Sequence, residues 1–252
     1  MKIYNLESEK ISLIDLSKNK NDYYYIPRLE FSSYSNKLFF QSLNRLQNKL
    51  SLTAYNLDTK SFKKVFEEKD NSYVDIQEKI FFLNNDNFLW ISDKSGFDHI
   101  YLVEDEGKRL NQITTGNWDV AKLLGVNENT VYYSSTEDNS IERVIYSISL
   151  NGKNKKAISP KNGFNGASFT SNYKYFIHTF EDKDTPLIYS LRDSKNGKLI
   201  RKILDNKALL EKLSPFNLSY KDISKITINN QEFNMWMIKP NNFNPKKKYP
   251  LL

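Results

Sequence analysis

An all-β fold, a partial β-propeller of about four four-stranded blades plus half of one, is what this sequence predicts. Three observations point to it. Tyr4, Tyr55, Tyr101, Tyr146 and Tyr189 sit in the same local pattern: an apolar residue, the tyrosine, a strand end rich in Asn, Asp, Glu or Gly, then a basic strand. They are separated by 51, 46, 45 and 43 residues. A repeat of roughly 40–50 residues built from short strands is the mark of a propeller blade. Turns of Asn, Asp, Gly and Ser divide the runs, and these residues tolerate or supply the left-handed backbone that tight turns need. Aromatic residues make up 14% of the chain, which suits strands.

In order, residues 2–6 read as a Tyr-bearing third strand and 10–16 as a fourth, with the first two strands of that blade missing. A loop at 17–22 follows. The first full blade is expected at 25–31, 37–42, 50–57 and 61–66, with a turn at Ser35-Asn36 and a loop at 44–48. The second takes 79–83, 87–92, 98–103 and 108–114, turning at Ser95-Gly96 and at Gly107 before Gly116-Asn117 resets the chain. The third takes 120–126, 130–135, 143–150 and 154–159, and the fourth 166–170, 173–180, 187–192 and 198–204. After Leu204 the pattern changes. Asp205-Asn206 can cap a short helix over 207–213, bounded by Pro215. Residues 221–229 and 231–239 read as a hairpin around Asn229-Asn230. Residues 240–250 form a linker interrupted by prolines, and 249–252 look like the opening of a buried strand. A chain that begins in mid-blade and ends in mid-strand is expected to be a piece of a larger protein.

Composition narrows the function classes. With 252 residues, 39% of them hydrophobic, the chain is long enough to bury a core. The net charge is +7, yet the one compact basic run, Lys246-Lys247-Lys248, lies in the linker. No basic-aromatic face emerges at strand spacing, so nucleic acid is not an expected partner. Salt-dependent binding to random DNA would revive that reading. There is no cysteine. Thiolate catalysis, disulfide frameworks and cysteine zinc sites are excluded, and the redox compartment stays open. No apolar run approaches membrane-spanning length. The first residues have no apolar signal core. No cofactor is implied, and no His/Asp/Glu spacing suggests a metal site.

A serine hydrolase needs a nucleophile, an imidazole base, an orienting carboxylate and oxyanion donors. The strand-to-helix elbow that exposes such a serine reads Gly-x-Ser-x-Gly, and this sequence contains none. Its two histidines, His99 and His178, lie inside expected strands without a recognisable nucleophile and carboxylate, and are read as structural. Trp90 and Trp118 are read as core or inter-blade packing, because aromatic rings bury large area. No catalytic residue is assigned.

Six stretches carry a resemblance. They are Asn44-Arg45-x-Gln47-Asn48 with Ala54-Tyr55; residues 90–101 (WISDKSGFDHIY); 112–120 (QITTGNWDV); 132–146 (YYSSTEDNSIERVIY); 204–213 (LDNKALLEKL); and 236–252 (WMIKPNNFNPKKKYPLL). Together they span nearly the whole chain, and it resembles the dipeptidyl peptidase IV family of prolyl oligopeptidase-type serine peptidases, bacterial members above all. The resemblance implies an eight-bladed propeller that precedes an α/β-hydrolase domain, shields the active site and limits entry. Residues 1–204 then correspond to the second half of the propeller. Residues 205–252 correspond to the link and the first strands of the hydrolase domain. The catalytic triad and the oxyanion tyrosine are expected beyond Leu252, and the glutamates that bind the substrate's amino terminus before Met1.

The implied function is that of a non-catalytic propeller portion of an enzyme that releases N-terminal dipeptides. The implied partners are a peptide substrate and the hydrolase domain. The parent protein is expected to be periplasmic, secreted or membrane-associated, and a homodimer is one implied state. In the family, loops around residue 73 can approach the substrate pocket, so Tyr73 and Asp75 are the candidate substrate-facing residues. The arginine found there in some animal members is lacking. Glu142-Arg143 matches a family pair and is read as an ion pair locking blades. Asn44–Asn48 is read as contacting a neighbouring blade or a ligand. The competing reading is a stand-alone propeller-like module that binds a protein partner without enzymatic activity.

Overall fold

The computed structural model describes residues 1–16, 24–216 and 218–250. The loop expected at 17–22 lies outside them. Among the described residues there are four four-stranded antiparallel sheets and two two-stranded ones. The chain divides into two compact units, Met1–Ser92 with Ile100–Ile113, and Asp93–His99 with Thr114–Leu252.

The first unit opens with the pair β1 (Lys2–Tyr4) and β2 (Ile11–Leu13), then holds the blade β3 (Tyr25–Phe31), β4 (Lys37–Leu43), β5 (Lys49–Asn56) and β6 (Ser61–Lys69). The next blade is β7 (Phe81–Phe82), β8 (Phe88–Ser92), β9 (His99–Glu104) and β10 (Arg109–Gln112). The strand β4 reads KLFFQSL and is buried along almost its whole length. Its two faces serve different clusters. Leu38 and Phe40 pack with Ile14 and Tyr55, while Phe39 packs with Leu52, Phe82, Phe88 and Trp90. A strand covered on both faces loses the apolar-polar alternation of a half-exposed one. Burying each such side chain contributes roughly 1.5–3 kcal/mol, so the middle strands hold the blade together.

Gly107 shows why one turn requires glycine. Its φ is +88°, and a Cβ there would collide with the Val65 carbonyl of β6. Glu106 just before it is also left-handed, at φ 55°.

The second unit holds β11 (Val120–Asn127), β12 (Thr130–Ser135), β13 (Val144–Ser149) and β14 (Lys156–Ala157), then β15 (Phe164–Phe169), β16 (Tyr175–Glu181), β17 (Ile188–Asp193) and β18 (Leu199–Leu204). Tyr132, Ile145, Ile158 and Phe176 form its core, with Leu124, Phe169 and Tyr173 packed against them. The helix α1 (Lys207–Leu213) and the hairpin β19 (Lys221–Ile228) and β20 (Gln231–Ile238) follow. The hairpin turn places Asn229 at φ 50° and Asn230 at φ 64°. Two successive left-handed residues match the twist of the flanking strands, and asparagine reaches that region more easily than most side chains.

The five repeat tyrosines fall on corresponding strands, β1, β5, β9, β13 and β17. Their burial differs: Tyr55, Tyr101 and Tyr146 are enclosed, whereas Tyr4, on a two-stranded pair, is 54% exposed. Three expectations are corrected. The strand expected over 79–83 shrinks to Phe81–Phe82, because the Ile80 N–H donates to the Glu30 carboxylate at 2.8 Å instead of to a ladder partner. Asn206 precedes α1 but supplies no side-chain cap. Its amide donates to the Leu187 carbonyl, and the Asp205 carboxylate accepts from the Lys207 N–H at 3.3 Å. Residues 249 and 250 form no strand. Tyr249 is 38% exposed and its hydroxyl accepts from the Asn244 N–H at 2.9 Å; residues 251–252 lie outside the described residues.

Candidate substrate-facing surface

The connection from β6 to β7 carries Tyr73 and Asp75. It is held by buried amides. Gln41, 1% exposed in the middle of β4, donates through Nε2 to the Gln77 carbonyl at 2.7 Å and accepts the Gln77 N–H at 2.9 Å. The Gln77 side chain in turn donates to the Ile91 carbonyl at 3.0 Å. A buried polar group left without a partner is costly, so this reciprocal pairing fixes the connection to the blade.

Val74, 6% exposed, is the inward anchor, and its N–H donates to the Gln47 carbonyl at 3.0 Å. Period-two geometry then turns Tyr73 and Asp75 outward, and both are exposed. The Gln47 contact brings the turn 44–48 alongside them. That turn is closed by its own residues: Asn44 Oδ1 accepts the N–H groups of Asn48 and Lys49, both at 3.1 Å. Arg45 and Leu46 are left exposed. Two stretches read separately in the sequence therefore form one surface with a phenol, a carboxylate, a guanidinium and an aliphatic side chain on a rigid base.

Glu68 was not picked out by sequence reasoning. Its carboxylate accepts from Trp90 Nε1 at 2.9 Å and from the Ser92 hydroxyl, joining β6 to β8. An amide inside an almost wholly buried strand, as at Gln41, marks a buried partner without naming it, whereas Glu68 lies in the largely polar strand β6 and carries no such mark.

In the second unit the two imidazoles are enclosed. His99 Nε2 meets the Gly116 carbonyl at 3.0 Å, so that nitrogen carries the proton, and Nδ1 accepts from Thr114 Oγ1 at 3.1 Å. Trp118 packs edge-on against the ring at 5.0 Å. His178 accepts at Nδ1 from Arg192 Nε at 3.1 Å and donates from Nε2 to Asn165 Oδ1 at 2.8 Å. Burial, then the neighbouring Arg192 charge, push its pKa down to about 4. Both rings are spent on structural partners.

Glu142 and Arg143 join adjacent parts of the unit, but not as an ion pair. Successive side chains along an extended segment point to opposite faces. The Glu142 carboxylate accepts the Gly163 N–H at 3.1 Å, and Arg143 donates to the carbonyls of Ser140 and Glu142. The backbone adds to this tie between the blades: the Arg143 N–H donates to the Gly163 carbonyl at 3.1 Å, and the Asn165 N–H to the Arg143 carbonyl at 3.0 Å. Nearby, Tyr146 donates to Asp138, and burial raises the phenol pKa of Tyr133 and Tyr146, with Asp138 adding to the rise at Tyr146. Among the described residues no cluster of three potential ligands for a metal ion occurs, and no helix is long and apolar enough to cross a membrane.

Tandem four-stranded antiparallel blades built on a tyrosine repeat define a partial β-propeller. Residues 1–187 match the family described as the dipeptidyl peptidase IV (DPP IV) N-terminal region, and the chain belongs to that family. It is 31% identical over 234 residues to a probable dipeptidyl peptidase 4 of Trichophyton verrucosum, covering 88% of this chain and 31% of that protein. The dipeptidyl peptidase 4 of Trichophyton rubrum is likewise 31% identical, with 88% and 30% covered. The crystal structure of Porphyromonas gingivalis dipeptidyl peptidase 4 superposes with a TM-score of 0.90 at 34% identity, over 99% of this chain and 36% of that one. A putative dipeptidyl aminopeptidase IV from Bacteroides ovatus shares the fold, with a TM-score of 0.83 at 24% identity, over 99% of this chain and 38% of that one. The chain thus spans about a third of the length of the relatives it matches.

Proposed function

We propose that this chain is the non-catalytic propeller portion of a dipeptidyl peptidase IV-like serine exopeptidase, screening the peptidase active site and limiting which peptides reach it. The observation that carries the reading is the superposition of 99% of the chain on a dipeptidyl peptidase 4. In this reading residues 1–204 are propeller, and 205–252 are the link and the first strands of an α/β-hydrolase domain. That domain supplies the nucleophile, base and oxyanion donors. Without groups that bind the transition state more strongly than the substrate, a binding surface gives little acceleration. The engagement of both imidazoles by structural partners supports the non-catalytic role. Tyr73 and Asp75 are the substrate-facing residues, and their firm seating on Val74 and Gln77 supports this, since a peptide is selected best by groups already held in place.

The test has two arms. The purified chain is assayed on Gly-Pro and Ala-Pro chromogenic substrates, and no turnover is expected. A chimera carrying this chain in place of the superposed segment of the Porphyromonas gingivalis protein is expected to release dipeptides, with Tyr73→Ala and Asp75→Ala raising KM while kcat is held. Turnover by the chain alone overturns the non-catalytic reading. A folded, active chimera whose KM ignores both substitutions overturns the site.

A further inference from the structure

Within the first unit, a cavity of about 180 Å³ opens beside β6. Its floor is apolar, made by Phe39, Ala54 and Val65, which are at most 9% exposed. Asn56 and Ser61 add polar walls. Its rim carries two cations and two anions, Lys37, Lys63, Asp86 and Glu106. An oily floor under a rim of both charges fits neither a plain hydrocarbon nor a simple anion.

The rim charges are paired unequally. Lys37 meets Asp86 at 2.8 Å, and the Asp86 side chain is only 8% exposed. The hydroxyls of Ser32 and Ser35 also donate to Asp86. Burial would raise the Asp86 pKa, but Lys37 and the two serines outweigh it and hold the carboxylate below its usual range. This pair is a fixed part of the wall. Lys63 and Glu106 also pair, but their side chains are 50% and 43% exposed. An ion pair so exposed contributes little to stability and opens readily. Lys37 stands 4.0 Å from Glu106 and keeps a cation beside it when Lys63 leaves. Glu106 itself cannot drift far. It is left-handed and joined to Gly107, which has no room even for a β-carbon beside the Val65 carbonyl.

We propose that this cavity binds a zwitterionic α-amino acid with a short branched aliphatic side chain. The ligand opens the Lys63–Glu106 pair and takes both partners: its carboxylate accepts from the Lys63 ammonium, and its ammonium donates to the Glu106 carboxylate. The exchange leaves the rim neutral, because one opposite-charge pair becomes two. The side chain lies on Phe39, Ala54 and Val65. Size agrees: an apolar cavity of roughly 150 Å³ takes benzene, so the cavity accommodates an isopropyl group with its charged head at the mouth. This inference does not depend on the peptidase reading.

The experiment is a ¹H–¹⁵N NMR titration of the full chain with L-valine, and with isobutyrate and isobutylamine, which keep one charge each. Saturable shifts are expected for valine at residues around the cavity, with either single-charge analogue binding about tenfold more weakly. Lys63→Ala and Glu106→Gln, both on exposed side chains, are each expected to weaken valine about tenfold without lowering the melting temperature. No saturable response to valine overturns the proposal. So does binding that treats the three probes alike or ignores both substitutions, since either result describes an apolar cavity indifferent to the rim.

Discussion

Acidification should weaken this fold through His178. The imidazole is 1% exposed and enclosed by Asn165 of β15 and by Ser190 and Arg192 of β17, with Phe176 and Phe180 flanking it on its own strand. Arg192 is the charged group facing it, held by the Gly197 carbonyl at 2.8 Å. Protonation at Nδ1 would turn an acceptor toward the Arg192 N–H into a donor and set two cations together. The folded pKa, about 4, lies below the ordinary 6.5. Between those values the unfolded chain binds a proton that the native chain does not. The stabilising contribution is therefore complete above pH 6.5, falls as pH drops through that window, and levels off below about 4. From pH 7 to pH 5 the loss is about 2 kcal/mol, equivalent to a melting-temperature drop of about 4–8 °C for a chain of this size. The assay is circular-dichroism melting of wild type and His178→Gln at both pH values. Carboxylates titrate in both proteins, so the difference between the two pH slopes isolates His178. Equal slopes, or an NMR titration placing the ring above pH 6, would refute the argument.

Further outcomes follow from particular contacts. Gly107→Ala should cost about 1–3 kcal/mol in urea unfolding, because the position needs positive φ and has no room for a methyl group beside the Val65 carbonyl. Trp90→Phe should keep the ring contacts with Phe66 and Phe88 but strip the Glu68 carboxylate of a donor, lowering stability by roughly 1–3 kcal/mol. Asn229→Val places a β-branched residue at φ 50° and should destabilise the hairpin by about 1–2 kcal/mol, read as faster hydrogen exchange along β19 and β20. Limited proteolysis with mass spectrometry should find first cuts in 240–250 and near Leu204, since every residue of β18 is exposed and Ile223, Phe233, Trp236 and Ile238 of the hairpin are 45% exposed or more. A tail as resistant as the blades would count against reading residues 205–252 as the link and first strands of a hydrolase domain.

Much of the fold was legible because blades repeat. The tyrosine spacing located the third strands, and the turn residues set the limits of α1 and of the hairpin to within a residue. The candidate surface was legible only in pieces. The stretch 44–48 and the residues Tyr73 and Asp75 lie about 25 residues apart in sequence, and backbone hydrogen bonds from Val74 to Gln47 and from Asp70 to Asn48 bring them together. The Glu142-Arg143 pair illustrates the opposite case. The family resemblance implied an ion pair, whereas extended geometry separates the two side chains, and the Glu142 carboxylate and the Arg143 backbone each bond Gly163 instead.

The amino-acid sequence by itself determined most of the strands, where the chain turns, and which stretches can face a core. These are local properties: side-chain alternation, left-handed tolerance at Asn and Gly, and the absence of a hydrolase elbow motif. Only the tertiary structure decided which partner each buried polar group takes. Gln41 pairs with Gln77, Glu68 with Trp90, and Glu30 with the Ile80 N–H, at separations of 36, 22 and 50 residues. Alternation states that a side chain points inward but carries no information on what it meets there. The cavity beside Val65 has the same origin. Its floor and rim come from five separate stretches of chain, and their distances exist only once the blades of that unit have packed.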